Sequence, residues 1–262
     1  MEIEGAEKRK CTVCFYEALG TGLFVYGAML TNNPVSISFS LFCSIILLAN
    51  VSGGHINPAV TLGVYISQAK FKENLGWLFS ISISQLLGAL GAALLAQATL
   101  YADGFENVPD EFVPRLCPQD PSNKEWPAVK RCDNELGTGY TCDLQVIVHE
   151  MILTFVFVSV ILMVKGKYTA PTADTIIAVL TIALTLQGCV GTGQFLGGAV
   201  NPAVSFGVTL FGAFHLQEAD GPSFISHYTY AYMVGELLGG LLAGLFHLKH
   251  AQLFAPKNSL DK

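Results

Sequence analysis

The sequence predicts an all-α membrane protein. It should hold six transmembrane helices and two shorter re-entrant half-helices, arranged as an inverted repeat within one domain over residues 1–262. Three observations carry that prediction. Hydrophobic residues make up 52% of the chain and charged residues 13%, against roughly 25% charged in an ordinary soluble domain. The apolar residues fall into six blocks, each near the ~20 residues that a helix needs to cross a bilayer core. A twelve-residue stretch also occurs twice: Gly-Gly-His-Ile-Asn-Pro-Ala-Val-Thr-Leu-Gly-Val from Gly53 to Val64, and Gly-Gly-Ala-Val-Asn-Pro-Ala-Val-Ser-Phe-Gly-Val from Gly197 to Val208.

The six spans run roughly Val13–Leu30, Ile37–Val51, Leu75–Leu100, Leu144–Val164, Thr175–Val190 and Tyr228–Leu248. The first is not expected to be a cleavable signal, because Glu17 and several glycines and alanines interrupt it and no polar mature domain follows. Basic residues set the orientation. Lys8, Arg9, Lys10, Lys70, Lys72, Lys165, Lys167, Lys249, Lys257 and Lys262 fall on one side, ten of the fourteen. Arg115, Lys124, Lys130 and Arg131 fall on the other, in a polar loop over about 101–143 that also holds nine acids from Asp103 to Asp143. The positive-inside bias then places both termini in the cytoplasm. The outward loop carries Cys117, Cys132 and Cys142. That compartment permits one disulfide, and sequence does not choose the pair. Cys11-Thr-Val-Cys14 has CxxC spacing with no second pair, so it reads as ordinary thiols or a lipidation site rather than as a metal centre. No metal or other cofactor is expected.

The repeat extends beyond twelve residues. Tyr16-Glu17-Ala18-Leu19 opens span one and His149-Glu150-Met151-Ile152 opens span four. The chain is thus two three-span halves, about 11–100 and 144–250. Because each half has an odd number of spans, the second enters the membrane from the opposite side. The two Asn-Pro-Ala stretches therefore dip in from opposite faces, the first from the inner and the second from the outer. They are too short to cross and too apolar to sit in water. Irregular backbone at that depth must line a cavity or be buried in protein. Asn is a good helix N-cap and Pro suits the first helical position. Asn57-Pro58-Ala59 and Asn201-Pro202-Ala203 should therefore each start a half-helix, reading 60–64 and 204–208. Two helix N-termini and two carboxamides would meet at the midplane and offer N–H donors to uncharged, lone-pair-bearing molecules.

Two Asn-Pro-Ala copies in equivalent places of an inverted repeat, together with Glu17 and Glu150, closely resemble the aquaporin (major intrinsic protein) family over nearly the whole chain. The resemblance implies a right-handed six-span bundle, one pore per chain, a homotetramer in the lipid bilayer, and water passing in single file. It also implies that Glu17 and Glu150 brace the half-helix loops rather than relay protons. His55 could sense pH, but it reads rather as a buried loop histidine with its hydrogen bonds satisfied. The narrowest point of the family draws on positions that fall at Ile37, Cys189, Gly198 and Val204. Phe39 competes with Ile37 if span two is in another register. The family usually has arginine after the second Asn-Pro-Ala. Val204 stands there, so the filter has no cation, and exclusion of cations would rest on the half-helix dipoles and on dehydration. Ser205 follows, where glycerol-conducting members typically carry Asp, so the signals on solute range diverge.

The expected function is a passive channel for water and small neutral solutes such as glycerol or urea, in the plasma membrane or an intracellular one. The alternatives are a secondary transporter, which inverted repeats also build, and a non-conducting membrane scaffold. No phosphate-binding, zinc-protease or nucleophile-elbow motif supports an enzyme, and no basic face supports nucleic acid as a partner. Gly235, Gly239, Gly240 and Gly244 form small-xxx-small pairs in span six that allow close helix contact. Glu236 lies mid-span without an assigned role.

Overall fold

Three helices begin at an Asn-Pro pair in the computed structural model, which describes residues 10–31, 33–101, 139–193, 197–215 and 222–254. The eight helices are α1 Lys10–Met29, α2 Pro34–Ser52, α3 Pro58–Gln68, α4 Phe71–Tyr101, α5 Gly139–Lys165, α6 Thr175–Gly193, α7 Pro202–His215 and α8 Pro222–Phe254. Asn33 caps α2 and Asn57 caps α3, each with proline in the first turn and the carboxamide oxygen accepting two backbone N–H groups. α3 and α7 are the half-helices. At 11 and 14 residues they are longer than the sequence suggests, yet still short of the ~20 residues needed to span.

Among the described residues, five helices are long and apolar enough to cross a membrane, one fewer than the six spans expected. The missing one is α1, whose 20 residues are diluted by Glu17, two tyrosines and three glycines. Its packing nevertheless makes it the counterpart of α5. Among the described residues, α1 packs on α4 as α5 packs on α8, α1 on α2 as α5 on α6, α3 on α8 as α7 on α4, and α1 on α7 as α5 on α3. The α2–α6 and α3–α7 pairs map onto themselves. Exchanging the two halves therefore leaves the pattern of helix pairs unchanged. This is an aquaporin-like fold, two interlocked copies of one four-helix unit.

The bundle is inside-out relative to a soluble protein. Phe15, Leu47, Leu87, Leu184 and Leu237 are exposed on its outside, where lipid would replace water as solvent. The interior holds Glu17, Gln85, Glu150, Thr154, Ser205 and Glu236, each with no accessible surface. Close helix approach depends on missing side chains. A Cβ on Gly235 or Gly239 would sit 2.5 Å from Ile147 O or 2.6 Å from Met151 O, both on α5. One on Gly244 would sit 2.7 Å from Gly63 O on α3, and one on Gly240 would strike Ala59 O. The two small-residue pairs of α8 thus serve two different neighbours. The pair Gly235 and Gly239 admits α5, and the pair Gly240 and Gly244 admits half-helix α3. The candidate disulfide residues Cys117 and Cys132 lie outside the described residues, and for Cys142 only the backbone, in the first turn of α5, is described.

Candidate functional site

The two half-helices meet through a crossed pair of hydrogen bonds. Asn57 Nδ2 donates to Val200 O at 2.8 Å, and Asn201 Nδ2 donates to Ile56 O at 2.9 Å. Each carboxamide oxygen meanwhile caps its own helix: Asn57 Oδ1 accepts from Ala59 N and Val60 N, and Asn201 Oδ1 accepts from Ala203 N. Pro58, Ala59, Pro202 and Ala203 are buried beside them.

The carbonyls that receive these bonds belong to unusual residues. Ile56 has φ 54° and Val200 has φ 46°, left-handed values that β-branched side chains rarely adopt. Conformations of this kind cost about 1–3 kcal/mol each and persist only where the surroundings over-determine them. Here the surroundings do so twice. Glu17 accepts from His55 N at 3.0 Å and Ile56 N at 2.8 Å. Glu150 accepts from Gly198 N at 2.5 Å, Ala199 N at 3.2 Å and Val200 N at 3.0 Å. Both carboxylates thus hold the strained peptide just before the asparagine. The entering glycines have positive φ as well: Gly53 and Gly54 in one loop, Gly197 and Gly198 in the other.

A further pair, of which the sequence singles out only Glu236, stabilises the first turn of each half-helix. Gln85 on α4 exchanges hydrogen bonds with Thr61 and donates Nε2 to Glu17 at 2.8 Å. Glu236 on α8 accepts from Ser205 Oγ at 2.6 Å and from Asn201 N at 3.1 Å. Thr61 and Ser205 are the equivalent residues of the two twelve-residue copies, and Gln85-Leu86-Leu87-Gly88 matches Glu236-Leu237-Leu238-Gly239. Glu236 is therefore the second half's version of Gln85. That internal match was the signal that could have assigned it.

Two cavities that share lining residues lie at and beside this crossing. The narrower, about 10 Å³, is lined by Asn57, Asn201, Gly54, His55 and Lys165 among apolar residues of α1, α2, α5 and α6. It has room for about one water. The wider, about 170 Å³, opens beside α3 and is lined by His55, Val60, Val64, Ser67, Gln68, Lys165, Lys167 and His247 among others. His55, Ile161 and Lys165 line both cavities and form the neck between them. His55 Nδ1 bonds Thr61 Oγ1 at 3.2 Å, and its Nε2 has no protein partner. Lys165, the last residue of α5, donates Nζ to Gly53 O at 3.0 Å. In the sequence it serves only to count charge for orientation. Nothing there shows that the final turn of α5 brings it onto the opposite half's loop.

The four filter positions are not on these cavities. Cys189 is buried and its thiol points to Leu153 O at 3.6 Å. Gly198 lies against it, since a Cβ there would be 3.3 Å from Cys189 O. Val204 is buried in the first turn of α7, and Ile37 packs against the same core. Phe39, the competing candidate, is 55% exposed and pairs edge-on with Phe42.

Comparison with known proteins gives the same architecture. The sequence pattern of the major intrinsic protein family matches residues 7–247. The chain is 31% identical over 210 residues to aquaporin TIP2-1 of Arabidopsis thaliana, covering 80% of this chain and 67% of that protein. It is 27% identical over 232 residues to aquaporin TIP2-3 of Zea mays, covering 88% and 77%. The X-ray structure of the aquaglyceroporin from Plasmodium falciparum aligns with a TM-score of 0.69 over 93% of this chain and 99% of that one. At 18% identity that likeness is one of fold.

Proposed function

Because the chain belongs to the major intrinsic protein family, a family of membrane channels and not of enzymes, we propose that it passively conducts water and small neutral solutes such as glycerol or urea. The observation that carries this reading is the narrow cavity bounded by Asn57 and Asn201. Each asparagine spends its oxygen on its own helix and one N–H on the opposite loop. A carboxamide has a second N–H, which is left to meet a permeating oxygen lone pair. The helix N-termini behind it add partial positive charge to the same point. The cavity's size favours passage one molecule at a time.

The outer constriction is assigned to Ile37, Cys189, Gly198 and Val204. Valine is smaller than arginine and uncharged, so this end of the pore should be wider and more apolar than one closed by a cation. Both termini are placed in the cytoplasm by the ten-to-four distribution of basic residues. The assembly is proposed to be a homotetramer with one pore per chain.

Reconstitution into liposomes tests the reading directly. Vesicles containing the protein should shrink faster than empty ones under an osmotic step, then reswell with glycerol or urea as the osmolyte. Val204→Arg should slow solute reswelling at least tenfold while water shrinkage falls far less. Absence of any water flux sinks the channel. Water flux without reswelling for any small neutral solute removes the broad filter and leaves a water channel.

A further inference from the structure

We propose that Lys165 supplies the pore's fixed positive charge, so that the barrier against cations and protons sits at the inner neck rather than at the outer constriction. The proposal rests on the channel reading above and adds a residue to it. Three observations point to Lys165. It lines both cavities, with His55 and Ile161, at the place where the wide vestibule narrows toward Asn57 and Asn201. Its ammonium is fixed rather than mobile, because Nζ donates to Gly53 O at 3.0 Å. The vestibule leading to it is lined by a second lysine, Lys167, and by His247, and among the described residues no acid lines either cavity.

The physical argument is one of placement. A cation entering the neck meets an ammonium at close range in a wall that is otherwise largely apolar, and there a charge is weakly screened. Beyond it stand the two half-helix N-termini, which carry the same sign. The counter-charge is Glu17. Its carboxylate lies behind the loop rather than on either cavity, and it is engaged by His55 N, Ile56 N and Gln85 Nε2. The lumen therefore meets the lysine and not the acid. Position 204, by contrast, offers a permeating ion only an isopropyl group. A neutral solute feels little of this difference. A hydrated cation or a proton moving along a water chain feels all of it.

The alternative is that Lys165 only braces the Gly53 carbonyl at the end of α2. Lys165→Gln separates the two, because it keeps a donor and loses the charge, and Lys165→Arg keeps both. Proteoliposomes of wild type and each variant are loaded with a pH dye or a potassium dye, and ion leak is divided by osmotic water flux from the same preparation. Lys165→Gln should raise the proton and potassium ratios at least tenfold. Lys165→Arg should stay within about twofold of wild type. Adding Val204→Arg to Lys165→Gln should restore tightness by returning a positive charge to the outer end. An unchanged ratio in a water-conducting Lys165→Gln overturns the proposal. So does an equal rise in Lys165→Arg, because that variant keeps the positive charge. If Lys165→Gln does not reach the vesicle, Lys165→Met is the second neutral variant. A wild type without water flux would instead overturn the channel reading itself.

Discussion

Glu236 Oε1 accepts the hydroxyl of Ser205 at 2.6 Å and thereby ties the middle of α8 to the first turn of half-helix α7. The same oxygen takes Asn201 N at 3.1 Å. A carboxylate with no accessible surface inside a membrane helix is costly. The equivalent position in the first half makes do with Gln85.

The first prediction follows from that substitution within the chain. Glu236→Gln should keep the bond from Asn201 N and leave osmotic water flux within about twofold. Glu236→Leu leaves the Asn201 N–H buried and unpaired, which costs about 1–3 kcal/mol. It should lower the unfolding midpoint of purified protein in detergent. Equal stability of the Leu and Gln variants would show that a hydrogen-bond acceptor at position 236 contributes nothing to holding α7.

Glycines at helix contacts and glycines on open helix faces should differ sharply in tolerance. A Cβ on Gly239 would lie 2.6 Å from Met151 O and 2.7 Å from Thr154 Cβ, whereas one on Gly91 meets nothing within 4 Å. Gly239→Ala must push α8 away from α5, at a cost of about 1–3 kcal/mol. Gly91→Ala fills no occupied space and gains helix propensity, worth up to about 1 kcal/mol. Thermal unfolding of the two variants side by side should move their midpoints in opposite directions.

Cys189 is buried while Cys11 and Cys43 are exposed. Small mercurials should label the exposed thiols first without effect and inhibit only when Cys189 reacts. Cys189→Ser should abolish inhibition of water flux, and Cys43→Ser should leave it intact. Block that survives Cys189→Ser would remove this residue from the conducting path.

Much of the architecture is legible in the sequence because its signals are local. Asn57 and Asn201 each precede proline, so the start of each half-helix is written in two adjacent residues. Glu17 and Glu150 stand out because an acid inside an apolar block must find a partner. What the sequence hides depends on rotation and on chain paths through space. Lys165 closes an apolar block and so looks like a simple topology marker, yet the last turn of α5 delivers it to Gly53, 112 residues away. Span one reads as an apolar block from Val13 to Leu30; α1 is not among the five candidate spans of the described residues, yet its packing makes it the counterpart of α5. The left-handed conformations of Ile56 and Val200 have no local cause. They depend on partners distant in sequence: Glu17 and Asn201 for Ile56, Glu150 and Asn57 for Val200.

The crossed bonds of Asn57 and Asn201 also order events during synthesis. Chains emerge from the N-terminus, and the first half is in place before the second exists. At that stage Glu17 can already hold His55 and Ile56, yet the Ile56 carbonyl still lacks Asn201 and Asn57 still lacks the Val200 carbonyl. The first loop cannot settle until residue 201 has been translated and has entered from the far side. A truncated chain should therefore insert without a finished passage. The crossing at the centre of the molecule is complete only when both halves contribute to it.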